Sequence, residues 1–291
     1  MKEMFTRPVP LVLLGAFMIS FSAVWVKIAD LPPTTSAFYR VFLGGLFLCI
    51  PTLLSKKRYK ISAKEFWLIS LCGLSFAADL FFWHRAIVYI GPGLATIIGN
   101  FQVFILASIG IIFWGERFKR RFFFSIPLAI LGLFLLVGIG WAEFSLDYKI
   151  GLLYSILVAM SYSVFILVLR NIQSGDKPFY VTLMLISFAT ALFLLPCFPL
   201  EGISFGVGGM KSFLCLLCLG LLSQAIGWSI IAAAMPKIPA SLVGLILLLQ
   251  PSLSFVWDIL FFNRPTDIFG FFGFILTISA IYLGISSKIN R

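Results

Sequence analysis

Charged residues are scarce in this chain of 291 residues, because Asp, Glu, Lys and Arg together make up only 11% of it. A soluble domain carries about a quarter of such residues. Hydrophobic residues reach 61%, and the mean hydropathy is +1.08. The polar stretches are all short, which leaves no room for a soluble catalytic domain. The composition therefore predicts an integral membrane protein.

Sequence motifs for metal or nucleotide chemistry are also missing. The only histidine is His84, so there is no H-E-x-x-H pair, and no G-x-x-x-x-G-K-[ST] loop occurs. Cys215 and Cys218 have redox or metal spacing but no second pair, so we interpret them as buried apolar residues. The G-x-S-x-G match at 202–206 lies in a loop, far in sequence from the histidine base that it would need. We expect no cofactor, no metal and no catalytic residue.

The net charge of +11 would suggest nucleic acid in a soluble protein. Here the basic residues gather in short segments between apolar runs, which is typical of membrane topology. With the N-terminus inside, 16 of the 22 Lys and Arg lie on the inner side, 5 lie on the outer side, and Arg40 lies within a span. We therefore predict a multi-pass protein of the cell (inner) membrane with both termini in the cytoplasm. Its partners would be the lipid bilayer and a small-molecule substrate, not nucleic acid.

Ten apolar runs are long enough to cross the hydrocarbon as helices, which takes about 20 residues. The predicted fold is therefore all-α, with ten transmembrane helices. The predicted spans, numbered one to ten, are residues 9–29, 35–54, 65–88, 92–113, 122–140, 150–170, 178–199, 212–234, 239–262 and 267–286.

The two halves of the chain resemble each other. A shift of 147 residues lays spans three to five on spans eight to ten without a gap. The landmarks that coincide are Gly73 with Gly220, Ala78 with Ala225, Pro92 with Pro239, and Arg117 with Arg264. The predicted repeats are residues 1–143 and 144–291. Each holds five spans, an odd number, so the second repeat must be inverted, as is typical of secondary transporters.

Short motifs add a family resemblance over almost the full length. They are Phe38-Tyr39-Arg40, Gly115-Glu116-Arg117, Pro251, and the prolines Pro92 and Pro239 that open spans four and nine. The chain resembles the EamA-type branch of the drug/metabolite transporter superfamily. The resemblance implies two inverted five-helix repeats around a central cavity, with alternating access. The second copy has Asn263 where the first has Glu116, so a role of Glu116 is not duplicated.

Five polar side chains lie ten to twelve residues into their spans, which places them about 15–18 Å deep, near the midplane. Transporter sites concentrate at that depth. The alternative is that these residues hold helices together by hydrogen bonds. The five are Ser20, Gln102, Ser161, Gln224 and Gln250, and Asn100 has a similar depth.

A second polar layer lies nearer the predicted outer face. Arg40 and Asp79 form either a structural ion pair or a site for a zwitterion, whose carboxylate and amine they would bind. His84 either carries a coupling proton or is an interfacial residue bonded to a neighbour. Asp258, at a similar depth in span nine, is a candidate gating or structural charge.

The remaining candidate site residues are five aromatic residues and two charged residues at the end of span four. Five rings could stack on a substrate or form packing contacts. They are Trp25, Tyr39, Trp83, Tyr162 and Trp228. Glu116 and Arg117 are gating or structural charges, and Glu116 would be held either by the basic run 119–121 or by a helix N-terminus.

These observations predict a secondary transporter, without ATP, of small polar metabolites, most of all amino acids or related zwitterions. Nucleotide-like or adenosylated metabolites such as S-adenosylmethionine, and drugs, are the alternative substrates, because the rings could stack on a purine. Proton coupling and exchange both stay open, as do the direction of transport and the oligomeric state. An intramembrane enzyme that uses Asp79 and His84, or a channel, is the rival class.

Overall fold

The computed structural model describes residues 7–55, 59–137, 145–263 and 267–287, and gives only the backbone for 91–94 and 136–137. Helices dominate the described residues. In chain order they are α1 (Pro8–Ser20), α2 (Ser22–Ala29), α3 (Pro33–Leu54), α4 (Ala63–Gly99), α5 (Gln102–Trp114), α6 (Arg120–Val137), α7 (Leu146–Gln173), α8 (Phe179–Leu194), α9 (Cys197–Glu201), α10 (Met210–Cys218), α11 (Trp228–Ala234), α12 (Ala240–Leu247), α13 (Leu249–Phe262) and α14 (Ile268–Ser286). A π-helix, Leu219–Gly227, joins α10 to α11, and a 3-10 turn, Met235–Lys237, follows α11.

Nine stretches of helix in the described ranges are long and apolar enough to cross a membrane. They match nine of the predicted spans and show a multi-pass membrane protein. The remaining predicted span, 122–140, corresponds to α6 and runs past it into residues outside the described ranges. The count of ten helices stays a prediction.

Local sequence explains several helix ends. Ser62 and Glu65 form a capping box at the start of α4, in which the Ser62 backbone N–H donates to Glu65 Oε2 at 2.8 Å and the Glu65 N–H donates to Ser62 Oγ at 3.3 Å. Asp267 caps α14 by accepting a hydrogen bond from the Gly270 N–H at 2.8 Å. These side chains satisfy backbone donors that a helix start leaves without partners.

Spans four and nine share a local break, which supports the predicted repeat. Turn residues separate α4 from α5 at 100–101, and Leu248 separates α12 from α13. A shift of 147 residues lays the start of α5 on the start of α13. Both helices end on a left-handed residue, Gly115 at φ 60° and Asn263 at φ 50°. Glycine and asparagine are the residues that adopt this conformation most readily. The inverted relation of the repeats stays a prediction.

The described helices form two compact units that do not follow the two sequence halves. The first unit contains the chain up to Phe81 and Val164–Lys237, and the second contains Phe82–Ser163 and the chain from Ile238 onward. Helices α4 and α7 each contribute residues to both units. Division of the chain at residue 143 therefore remains a statement about sequence repeats.

Small residues allow close helix packing inside the first unit, as is common in membranes. A Cβ added to Gly44 of α3 would lie 2.6 Å from Gln224 Cβ in the π-helix, and one added to Gly220 would lie 2.8 Å from Leu43 Cβ. A Cβ added to Gly227 would similarly approach Ile19 of α1, at 2.7 Å. The π-helix is thus held against two neighbouring helices.

In the second unit, a glycine likewise allows α6 and α14 to pack closely. A Cβ added to Gly132 would lie 2.8 Å from the Gly273 carbonyl oxygen and 2.8 Å from the Thr277 backbone nitrogen. Thr277 Oγ1 itself donates to the Gly273 carbonyl of its own helix at 2.9 Å. These two helices therefore meet backbone to backbone at Gly132.

Candidate functional site

Two ionisable side chains of the first unit lie near the ring of Phe76. Asp79 of α4 is 9% exposed, and Arg40 of α3 is half-buried. The Arg40 Cζ lies 5.9 Å from the ring centre of Phe76, within the range of a cation–π contact, and Asp79 follows Phe76 by three residues on the same helix, about one turn. The structure thus places the two charged residues that the sequence singled out in the same region of the first unit.

Aromatic rings pack beside these charges. Phe76 stacks on Phe165 with 4.4 Å between ring centres, and Trp228 meets Phe165 edge-on at 4.9 Å and Phe76 at 6.0 Å. All three side chains are buried, and Trp228 is only 1% exposed. Stacking of a substrate on Trp228 stays a prediction, and it would require this aromatic cluster to open. Sequence patterns did not reveal Phe165, which is one of many phenylalanines in apolar runs.

Gln224 lies in the π-helix, four residues before Trp228. Its Nε2 donates to Ser187 Oγ of α8 at 3.1 Å, so this residue does join two helices. Its Oε1 is buried and has no hydrogen-bond partner among the described residues, and the same is true of the neighbouring Ser223 hydroxyl. π-Helical segments often occur at functional sites. Gln224 therefore combines a structural bond with an acceptor that remains available.

Tyr39, near the start of α3, has a structural partner. Its hydroxyl donates to the Phe205 carbonyl at 2.8 Å. Nearby along the chain, Thr34 Oγ1 donates to Glu201 Oε2 at 2.6 Å. These bonds attach the segment after α9 to the start of α3. The sequence did not indicate them, since the partners are more than 160 residues apart.

Polar candidates of the second unit cluster at the broken helices. Gln102 begins α5 and is buried with its Oε1 unpartnered among the described residues, and Gln250 Nε2 near the start of α13 is in the same condition. Asn100 Nδ2 donates to the Thr96 carbonyl at 2.8 Å. These side chains lie at or next to the two helix breaks. Within a membrane, such irregular backbone is tolerated only where it is buried in protein or lines a water-filled cavity.

Trp83 and His84 lie in the second unit, whereas Asp79 lies in the first. Trp83 Nε1 donates to Thr96 Oγ1 at 3.3 Å, and the His84 ring centre lies 5.1 Å from that of Trp83. His84 Nδ1 is buried without a hydrogen-bond partner in the described ranges. The structure therefore groups His84 with Trp83. No contact within either unit joins His84 to Asp79, among the described residues, so the rival hypothesis of an enzyme that uses both residues stays without structural support.

Glu116 lies at the N-terminus of α12. Its Oε1 accepts a hydrogen bond from the Ala240 N–H at 2.8 Å, and its Oε2 accepts from the Ser241 N–H at 3.4 Å and from the Ser241 hydroxyl. A Cβ at Gly110 would collide with this carboxylate, so that glycine leaves the space for it. Of the two partners left open by the sequence, these contacts involve the helix N-terminus, where a negative charge is stabilised.

The remaining candidates have varied environments. Ser20 is buried at the end of α1 and donates to the Phe17 carbonyl of its own helix at 2.6 Å. Trp25 is half-buried, with a buried Nε1 that has no hydrogen-bond partner in the described part of the chain. Arg117 is exposed, and the half-buried residues are Ser161, Tyr162 and Asp258. No group of three or more His, Cys, Asp and Glu in the described ranges is arranged to hold a metal ion.

Comparison with known proteins identifies the family. The EamA-like transporter family matches the chain twice, over residues 6–138 and 149–286. A crystal structure of another protein shares the fold with a TM-score of 0.82 at 18% identity, and the alignment covers 96% of this chain and 98% of that one. No curated protein matches. Since the family matches span both halves, the chain belongs to the EamA-like transporter family and is a multi-pass membrane transporter of the drug/metabolite transporter type.

Proposed function

We propose that this transporter moves small zwitterionic metabolites, amino acids foremost, by a secondary mechanism with alternating access, and that Arg40 and Asp79 recognise the substrate. The observation that carries the proposal is the placement of two oppositely charged residue types around Phe76: Asp79 is buried one helical turn from it, and Arg40 Cζ lies 5.9 Å from its ring centre. A guanidinium binds a carboxylate well, and a carboxylate binds an ammonium group. A zwitterion brings both of these groups.

Energetic cost favours a functional role for this pair. A charged side chain costs about 2.5–3.5 kcal/mol at the centre of a membrane helix on insertion scales, so such residues are rare and mark substrate or ion pathways. A buried ion pair is also weak evidence for stability, because desolvation offsets much of the attraction. Two such charges are therefore better explained by a ligand that they bind than by stabilisation of the fold.

Neighbouring polar groups of the same unit fit the recognition of an amine. Gln224 Oε1 and the Ser223 hydroxyl are buried acceptors without a hydrogen-bond partner among the described residues. Buried polar groups are normally satisfied, so each exception calls for an explanation. We propose that the substrate ammonium group satisfies them during transport.

Nucleotide-like and adenosylated metabolites are less favoured as substrates by the same geometry. A purine needs an open aromatic face, and Trp228, which the sequence suggested for this role, is enclosed by Phe76 and Phe165. A small aliphatic zwitterion makes no such demand.

Uptake into proteoliposomes tests the proposal. We expect the purified chain to exchange at least one labelled amino acid, and Asp79→Asn to lower the affinity for it, since a hydrogen bond to a charged group is worth about 1.5–3 kcal/mol, or about 10- to 150-fold. Asp147→Asn, which changes an exposed carboxylate at the start of α7, is the matched control and should transport normally. Thermal unfolding of each variant separates loss of binding from loss of fold.

Two results would overturn the proposal. One is transport of a non-zwitterionic solute while all amino acids fail as substrates and as competitors. The other is an Asp79→Asn variant that unfolds at lower temperature but binds and transports amino acids with unchanged affinity. That second result would make the Arg40–Asp79 pair a structural one.

A further inference from the structure

An apolar groove lies on the first unit between the start of α4 and the C-terminal half of α8. Its volume is about 320 Å³. One wall holds Ile61, Phe66 and Ile69, and the other holds Leu185, Leu192 and Phe193. Ser70 is the one polar residue of the lining, and several of the apolar residues are well exposed, including Leu192 at 63%.

Two contacts join α4 and α8 near the groove. Lys177, which precedes α8, forms an ion pair with Glu65 in the first turn of α4. Further along α4, Gly73 meets α8 closely, because a Cβ added there would lie 2.6 Å from Ala189 Cβ. The residues that line the groove lie beside these contacts, and all of them except Ser70 are apolar.

Two exposed lysines lie next to Ile61, at one end of this groove. Lys60 and Lys64 flank Ile61 in the chain, and both side chains are exposed. Neither forms an ion pair with another described residue, whereas the nearest acid, Glu65, is already paired with Lys177. Three more basic residues, Lys56, Lys57 and Arg58, immediately precede this segment in sequence. Lys60 and Lys64 therefore make this end of the groove positively charged.

We propose that this groove is a binding site for an anionic phospholipid, with an acyl chain between α4 and α8 and the phosphate headgroup beside Lys60 and Lys64. The groove lies between two helices of a membrane transporter. The apolar molecules that surround such helices are lipids, so a lipid acyl chain is the expected occupant. Lys60 and Lys64, which form no ion pair among the described residues, then select the charge of the headgroup, because clustered cations next to a membrane helix attract anionic lipids. Nothing in this assignment depends on the nature of the transported substrate.

Native mass spectrometry of the purified full-length chain tests the site. The probes are phosphatidylglycerol and phosphatidylcholine with identical acyl chains. We expect the protein to retain phosphatidylglycerol at least tenfold better, because each lysine near an anionic headgroup contributes about a fivefold gain. The double variant Lys60→Gln/Lys64→Gln should lose this preference and still bind both lipids weakly. The matched double variant Lys211→Gln/Lys237→Gln removes two exposed lysines elsewhere and should keep the preference.

A second pair of variants tests the acyl-chain part of the site. Ser70→Phe fills the groove and should lower retention of both lipids about equally. Leu192→Asn, at an exposed lining position that contributes little to the fold, provides the same test if Ser70→Phe fails to fold. Equal retention of the two lipids by the unmodified protein would overturn the proposal. An equal loss in the two lysine double variants, or unchanged retention in the groove variants, would also contradict it.

Discussion

Gly132→Ala is expected to destabilise the protein by about 2–3 kcal/mol, the upper part of the range for overpacking a well-packed interface. The added methyl group would lie 2.8 Å from both the Gly273 carbonyl oxygen and the Thr277 nitrogen. Those atoms belong to the backbone of α14, so no side-chain rotation can relieve the contact. The helices α6 and α14 must instead move apart and lose packing along their shared face.

Thermal unfolding in detergent, followed by tryptophan fluorescence, measures this effect. Gly209→Ala is the matched control, because a Cβ there has nothing within 4 Å. Adding Thr277→Ala to Gly132→Ala removes the hydroxyl that also opposes the methyl group, and it should recover only part of the loss. An unchanged unfolding temperature in Gly132→Ala would show that α6 and α14 are not in backbone contact.

Glu116→Ala is the second substitution with a large expected effect. It removes the carboxylate that accepts hydrogen bonds from the Ala240 and Ser241 backbone N–H groups at the start of α12. Loss of a charged acceptor from a partly buried helix start should cost about 2–3 kcal/mol, since hydrogen bonds to charged groups and the helix dipole both contribute. Glu116→Gln should cost less, because the amide oxygen still accepts one of these bonds.

Hydrogen exchange of the α12 amides locates the effect of the Glu116 variants. We expect faster exchange at the start of α12 in Glu116→Ala, and a similar change in Gly110→Ala, whose methyl group would displace the carboxylate. Asp267→Ala is a matched cap removal elsewhere and should affect only the start of α14, by about 1 kcal/mol. If Glu116→Ala leaves hydrogen exchange in α12 unchanged, Glu116 does not stabilise the start of that helix.

Much of the membrane architecture could be predicted because hydrophobic length alone determines whether a helix can span the bilayer. Nine predicted spans coincide with described helices, and the family resemblance carried by motifs such as Gly115-Glu116-Arg117 is confirmed. Ser62 and Glu65, which form the capping box at the start of α4, also match the S-x-x-E pattern before an apolar run, although no helix start was predicted from it.

Other features depend on tertiary contacts that no local pattern encodes. The bond from Tyr39 to the Phe205 carbonyl joins residues that are 166 positions apart. The π-helix around Gln224 depends on packing against Gly44, and the enclosure of Trp228 depends on Phe165, which has nothing in its sequence neighbourhood to distinguish it. The groove beside Ser70 likewise has walls from α4 and α8, which lie more than 100 residues apart in the chain.

Recognition of both ends of a zwitterion is tested most directly by a competition measurement with three ligands. These are the amino acid that is transported best, its carboxamide, which lacks the carboxylate, and its N-acetyl derivative, which lacks the ammonium group. The unmodified protein should bind the amino acid at least tenfold more tightly than either derivative. Arg40→Gln should bind the amino acid and its carboxamide equally, and Asp79→Asn should bind the amino acid and its N-acetyl derivative equally. If both variants instead lower the affinity for all three ligands by the same factor, Arg40 and Asp79 do not recognise the charged groups of the substrate.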